Sequence, residues 1–149
     1  MSLPLSYAGS GTEERDVRVM EIEGVGERYA AKLQDAGIAT DTDLLEQGRT
    51  RKGREEIADA TGLAASLVLE WVNHADLMRI HGVGPEYADL LEEAGVDTVP
   101  ELGQRNAANL HAAIESTVSQ KGLVRRPPSE DMLAGWIAEA RTLGRTIEY

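Results

Sequence analysis

One pattern occurs twice in this 149-residue chain, as IEGVGERYA from Ile22 and as IHGVGPEYA from Ile80. A shift of 58 positions aligns the two stretches, and matching residues continue beyond both of them. Further along, a shift of 65 positions aligns Trp71 with Trp136, so the second copy carries extra residues, most simply in the loop QKGLVRRPP. Self-similarity of this length indicates that one supersecondary unit has been duplicated.

Local patterns predict that both copies are helical. After each GVG, tyrosine, alanine and leucine recur at steps that place them on one helical face. Pro85 stands where a first helical residue is expected, and Gly37 and Gly95 stand where helices of roughly ten residues should end. Thr40 and Thr98 have the context of N-cap residues, with an acid three positions later. Two short helices are predicted to follow in each half, and no segment alternates like a strand.

Two longer segments, 66–79 and 129–142, each carry an apolar stripe at helical spacing. The stripe residues are Leu67, Trp71, Ala75 and Met78 in the first segment and Met132, Trp136, Ala140 and Leu143 in the second. We predict that both tryptophans are core anchors. The first segment runs directly into the second GVG, so we expect it to be shared between the two halves.

The expected fold is therefore all-α, with duplicated units of about four to five short helices per half around one continuous core. The first unit would span residues 14–79 and the second residues 80–149, packed on the first. Residues 1–13 are expected to be a flexible lead, because Gly9, Ser10 and Gly11 cannot hold a regular element. Residues 1–3 could be left over from cloning.

Composition excludes several functional classes. With 26 acidic and 15 basic residues the formal net charge is −11, which repels polyanions at long range. The absence of cysteine excludes disulfides, thiol catalysis and cysteine-ligated zinc, and it suits the cytoplasm, where we expect the protein. No signal peptide or membrane span is expected, and hence no membrane partner. His74, His81 and His111 lack metal-ligand spacing, so we expect no metal. GVGERYA lacks the third glycine, the Gly-Lys-Ser/Thr ending and the preceding strand of nucleotide-binding motifs, and we expect no cofactor and no enzyme.

Basic residues cluster in two connections despite the acidic total. The stretch RTRKGR supplies Arg49, Arg51, Lys52 and Arg54, and an auxiliary loop supplies Lys121, Arg125 and Arg126. These charges could form a local basic face. They could equally cap helix ends and pair with the surplus acids.

The spacing of apolar residue, Gly, apolar residue, Gly, three variable positions and Ala resembles the helix-hairpin-helix motif. From about residue 16 to 146, including WVNHADLMRIHGVG and AGVDTVPEL, the chain is similar to the uncharacterised bacterial family known as domain of unknown function four-three-three-two. That family carries no established activity. The wider helix-hairpin-helix class implies sequence-independent contact with the nucleic-acid backbone, and a monovalent cation at the hairpin only when nucleic acid is bound.

Carried over by position, the resemblance implies phosphate contacts at Gly24, Val25 and Gly26 and weaker ones at Gly82, Val83 and Gly84. Glycines let a phosphate approach closely, and amides at a helix start favour anions. The first copy adds Arg28 and Lys32, whereas the second has Glu86 and Leu90 at those positions. Pro85 also removes one amide donor.

The leading hypothesis from sequence is a non-catalytic helical module that binds nucleic acid, DNA in the first place, weakly and without sequence preference. The first hairpin and the RTRKGR stretch would form the contact. The alternative is a protein-interaction or scaffold module in which the hairpins are purely structural turns.

Overall fold

Helices carry nearly all the regular structure in the computed structural model, which describes residues 16–121 and 126–149. Among the described residues, a 3₁₀ turn at Val19–Glu21 precedes eight α-helices. In chain order, α1 to α8 are Gly26–Asp35, Asp41–Gly48, Arg51–Thr61, Ala65–Leu77, Pro85–Glu93, Val99–Gly103, Ala107–Lys121 and Glu130–Leu143. The described residues contain an isolated bridge between Arg18 and Thr40 but no strand. The prediction of an all-α fold is confirmed.

Each GVG turn closes over the indole ring of a tryptophan. Gly24 and Gly82 both have φ of +90°, a backbone region that favours glycine. A Cβ atom on Gly24 would lie 3.5 Å from Nε1 of Trp71, and one on Gly82 would lie 3.2 Å from Nε1 of Trp136. The positive φ favours glycine at the first position of each turn, and at Gly82 the close indole disfavours a Cβ atom as well, whereas 3.5 Å at Gly24 is an ordinary contact.

The tyrosine that follows each turn packs against the same indole. The ring centroids of Tyr29 and Trp71 are 5.5 Å apart, and those of Tyr87 and Trp136 are 5.2 Å apart. Trp71 is fully buried and Trp136 nearly so, which confirms the prediction that both are core anchors. Such tilted ring pairs stabilise beyond their buried area, so each turn is held by its own aromatic pair.

Helix ends follow the predicted patterns with one exception. Pro85 is the first residue of α5, as predicted, and the Thr40 hydroxyl accepts from the Asp43 amide at 3.1 Å in a full capping box. Thr98 occupies the N-cap position of α6, but its side chain accepts no capping bond. The expected capping box is wrong here: the Glu101 carboxylate accepts from the Asp97 amide at 2.8 Å, one residue before the N-cap. The first amide of α6, that of Val99, donates to the buried carboxylate of Asp76 at 2.8 Å.

One cluster of buried apolar side chains extends from Val19 to Ile147. Helix α4 lies within it and contacts α2, α3 and α5, while α8 packs against α6 and α7. The cluster draws residues from both sides of the boundary predicted at residues 79 and 80. The division into two units stays a prediction.

The stripe predicted for the last helix is partly wrong. Met132 and Leu143 are 41% and 37% exposed, whereas Leu133 and Ile137 are buried beside Trp136. Trp136 and Ala140 are buried as predicted, so the buried face of α8 is rotated from the predicted stripe by roughly half of the 100° that separates successive residues. Helix α7, with 15 residues, is also longer than the short helix predicted there.

Two sequence predictions fall outside the described part of the chain. These are the flexible lead at residues 1–13 and the side chain of Arg125 in the auxiliary basic loop. Within residues 16–121 and 126–149, no helix combines the length and the hydrophobicity that crossing a bilayer requires.

Candidate functional site

The first GVG turn presents two exposed glycines at the start of α1. The turn closes with the Val25 amide donating to the Ile22 carbonyl at 3.0 Å. Gly24 and Gly26 are exposed, with φ of +90° and +66°, whereas the Val25 side chain is buried in the core. Val25 can therefore contribute only backbone atoms to a contact. It is also the N-cap of α1 and provides no side-chain acceptor for the first-turn amides.

Two basic side chains follow on the exposed face of α1. Arg28 and Lys32 are four residues apart, so they are neighbours on the helix surface. Both are exposed, and neither forms an ion pair within residues 16–121 and 126–149. Both positive charges are accordingly available to a ligand.

The RTRKGR stretch spans the turn between α2 and α3 and the start of α3. Arg49 pairs with Glu148 at 3.0 Å and Arg51 pairs with Glu55 at 3.5 Å, both in exposed positions. Lys52 is exposed and forms no ion pair among the described residues. Because α1 contacts α3, the basic side chains of the two helices lie on adjacent elements.

Arg54 is the clear exception in this stretch. Its side chain is buried, with the residue 5% exposed. Nη1 donates to the Gly48 carbonyl and Nη2 to the Glu148 carbonyl, each at 2.9 Å. The guanidinium also lies 5.8 Å from the ring centre of Tyr149. Arg54 ties the C-terminal segment to the α2–α3 turn, so its assignment as a phosphate contact is corrected to a structural role.

The second GVG turn lies in acidic surroundings. A surface groove is lined by Gly82, Gly84 and Pro85 together with the acids Glu21, Glu23 and Glu86. Val83 is buried, and Gly84 has an extended conformation in place of the positive φ of Gly26. Carboxylates close to the turn oppose an approaching phosphate, in agreement with the weaker role expected for this copy.

The auxiliary basic loop is only partly described. Lys121, the last residue of α7, forms an ion pair with Glu93 at 3.4 Å. Arg126 is exposed. No described contact joins either residue to the first GVG turn.

A histidine and two acids come together at the contact between α4 and α5, which sequence reasoning missed. Nε2 of the buried His74 lies 3.0 Å from Oε1 of Glu92, and Asp89 lies close to both. Burial is the largest cause that raises the pKa of Asp89 to about 6, followed by a hydrogen bond with Glu93 and repulsion from it. Because His74 precedes Asp89 by 15 positions, only the packing of α4 on α5 reveals the group.

Comparison with known proteins gave one finding. The model of a protein family described as "Domain of unknown function (DUF4332)" matches residues 23–143. No curated protein and no solved structure gave a significant match to the chain.

Proposed function

The chain belongs to the DUF4332 family of domains of unknown function, and we propose that it is a non-catalytic module that binds nucleic acid weakly and without sequence preference. The contact surface would comprise the first GVG turn and the exposed basic residues of α1 and α3. One observation carries the proposal: exposed glycines lie at the start of α1, and beside them are Arg28 and Lys32, which form no ion pair with any residue that the structure describes.

The start of α1 has the chemistry that a phosphate needs. The first amides of a helix have no partner within the helix, and the helix dipole adds partial positive charge there. Val25 offers no capping side chain that would compete for these amides. Gly24 and Gly26 carry no Cβ, so the backbone of a polyanion could approach the turn closely.

The basic contact set is narrower than the sequence suggested. Arg54 is committed to carbonyl groups, and Arg49 is held by Glu148. The basic residues left to contact phosphate are Arg28 and Lys32 of α1 together with Lys52 and the weakly paired Arg51 of α3. With roughly three to four phosphate contacts, the logarithm of affinity should fall with the logarithm of salt concentration with a slope of about −3. Binding should accordingly be weak at physiological salt.

We infer that the two GVG turns are the hairpins of duplicated helix-hairpin-helix units. Support comes from their shared closure: each begins with a glycine at φ of +90° and each is backed by a tryptophan. A monovalent cation on the carbonyls of the first turn belongs to this proposal only when nucleic acid is bound. A cytoplasmic location is also part of the proposal.

Fluorescence anisotropy with labelled duplex and single-stranded DNA at 20 mM salt tests the proposal. The double variant Arg28→Glu/Lys32→Glu changes only exposed side chains and should abolish binding. Arg145→Glu reverses an exposed charge outside the contact set and should retain most of the affinity. If the wild-type chain does not bind at this salt concentration, or if both variants weaken binding equally, the proposal fails.

The groove at the second GVG turn favours a second candidate, a protein-interaction module. Glu21, Glu23 and Glu86 line this groove, and they suit a basic partner segment. A partner that co-purifies with the wild-type chain and is lost with Glu21→Lys/Glu86→Lys would support this candidate. A monomer that co-purifies only with nucleic acid would count against it.

A further inference from the structure

A buried histidine on α4 faces two carboxylates on α5. His74 is 1% exposed, and its Nε2 lies 3.0 Å from Oε1 of Glu92. One ring nitrogen of His74 and one carboxylate oxygen from each of Asp89 and Glu92 lie within 4.8 Å of one another. We propose that these three side chains bind a divalent transition-metal ion, for which Zn²⁺ is the best match.

The state of the imidazole supplies independent support. Both ring nitrogens of His74 are buried, and neither has a hydrogen-bond partner among the described residues. The contact with Glu92 thus has the length of an ion pair without the geometry of a hydrogen bond. A buried polar nitrogen without a partner is costly, and imidazole is the commonest metal ligand in proteins. An ion bound by one imidazole nitrogen of His74 and by the carboxylates of Asp89 and Glu92 would give that nitrogen a partner.

Helix geometry makes the two acids a matched pair. Asp89 and Glu92 are three residues apart on α5, so their side chains share one face of the helix. His74 adds its nitrogen from the facing helix, α4. The Glu92 side chain is 26% exposed, so the group is open to solvent on that side. Three protein ligands with one open side match the zinc sites in which water completes the coordination.

The electrostatic environment also favours a cation. Two further acids, Glu93 and Glu23, lie close enough to Asp89 to repel its carboxylate. Glu93 has a partner in Lys121 at 3.4 Å. A divalent ion bound to Asp89 and Glu92 would offset the repulsion among these carboxylates.

The donor set discriminates between ions. One imidazole nitrogen and two carboxylate oxygens suit Zn²⁺, with bonds of about 2.0–2.2 Å. Ligand atoms around such an ion are about 3.3 Å apart, so atoms already within 4.8 Å need only small side-chain rotations. At a site of mixed nitrogen and oxygen donors, Zn²⁺ binds more tightly than Mn²⁺. Mg²⁺ prefers all-oxygen octahedral coordination and should bind poorly.

Isothermal titration calorimetry of the EDTA-treated full chain with ZnCl₂ tests the proposal. We expect one ion per chain, with Mg²⁺ showing no comparable heat. Glu92→Gln and Asp89→Asn should each weaken Zn²⁺ binding about tenfold or more. Losing a residue that merely hydrogen-bonds a metal ligand already lowers metal affinity about tenfold, and losing a ligand should cost at least as much. Substituted Co²⁺ should give the visible absorption of a tetrahedral site.

His81→Gln is the matched control. Nδ1 of His81 lies 2.7 Å from Oε2 of Glu139 in a second histidine–glutamate pair, but that histidine is 71% exposed. This variant should keep the wild-type Zn²⁺ affinity. If His81→Gln loses binding while Glu92→Gln retains it, the ion binds at the exposed pair and the proposal is overturned.

A second measurement avoids substitution of the buried histidine. In ¹⁵N-labelled protein, the imidazole nitrogen signals of His74 should shift on addition of Zn²⁺, whereas those of His81 and His111 should stay in place. Circular dichroism should show that the Asp89 and Glu92 variants remain helical. Absence of Zn²⁺ binding at micromolar concentrations, or binding that leaves the His74 signals unchanged, would refute the assignment.

Discussion

Removing the carboxylate of Asp76 should destabilise the chain more than any exposed charge change. Asp76 is fully buried near the end of α4. Its carboxylate accepts from the Val99 amide at the start of α6 and from Nη1 of Arg79, both at 2.8 Å. Arg79 in turn donates to the carbonyls of Leu143 and Gly144 at 3.2 Å. One buried acid thus links the end of α4 to the start of α6 and, through Arg79, to the end of α8.

The magnitude follows from the groups left without partners. Breaking a buried ion pair by removing one member costs about 3–5 kcal/mol, and an unsatisfied buried amide costs about 1–3 kcal/mol. The Arg79 side chain is 21% exposed, so water offsets part of its loss. We therefore expect Asp76→Ala to lower the free energy of unfolding by about 3–5 kcal/mol. Asp76→Asn keeps an acceptor for Val99 and should cost about 1.5–3 kcal/mol.

Urea unfolding followed by tryptophan fluorescence measures these changes, because Trp71 and Trp136 are both core residues. Glu21→Gln is the matched control: Glu21 pairs with Arg18 at 3.4 Å in an exposed arginine–acid pair of the same spacing. Glu21→Gln should lower the free energy of unfolding by less than about 1 kcal/mol. If Asp76→Ala and Glu21→Gln differ by less than about 1 kcal/mol, the buried link does not contribute as argued.

Two further predictions concern the turns and the pH dependence of stability. Alanine at Gly24, Gly37 or Gly82 should cost about 1–2 kcal/mol from positive φ alone. In urea unfolding, Gly82→Ala should lower the free energy of unfolding more than Gly24→Ala or Gly37→Ala. The new Cβ at Gly82 would lie 3.2 Å from an indole nitrogen, whereas the distance at Gly24 is 3.5 Å and Gly37 has open space. Equal costs for the three variants would contradict the indole contact. Burial raises the pKa of Asp41 above its ordinary 3.8. The carboxyl of Asp41 therefore holds its proton more tightly in the folded state than in the unfolded state. As a result, the free energy of unfolding falls as pH rises from 3.8 through the pKa of the folded state. Asp41→Asn keeps an oxygen that can accept from the Val17 and Thr42 amides, as Oδ1 of Asp41 does. In this variant the thermal unfolding temperature should change less with pH on the acid side; an unchanged pH dependence would refute the prediction.

The parts of the fold that were predicted correctly depend on short-range patterns. Helix α1 begins just after the first GVG, Pro85 opens α5, and Thr40 caps α2, because each signal lies within a few residues of the structure it determines. Burial of both tryptophans was also predictable, since a large apolar side chain on a helical stripe has few alternatives to the core.

The errors have a different physical origin. Arg54 looked like one more positive charge in a basic run, yet it donates to Glu148, 94 residues away in sequence. Thr98 had a capping context, but its hydroxyl accepts no capping bond. The carboxylate of Asp76, 22 positions earlier, accepts from the first amide of α6, that of Val99. His74 lies 15 and 18 positions before Asp89 and Glu92, and it meets them only where α4 packs on α5. In each case a contact between distant segments decided the role, and no local pattern carries that information.

The two GVG turns separate the structural role of this motif from any binding role. Both use a glycine at φ of +90° backed by an indole, and both are followed by a tyrosine on the same ring, so folding alone accounts for those residues. What differs is the outer surface: Arg28 and Lys32 follow the first turn, which the exposed acids Glu23 and Glu27 flank, whereas Glu21, Glu23 and Glu86 line the groove at the second turn. Since the matched features serve the core, the unmatched surface charges are where function should be sought, and charge reversal on α1 tests it without disturbing either turn.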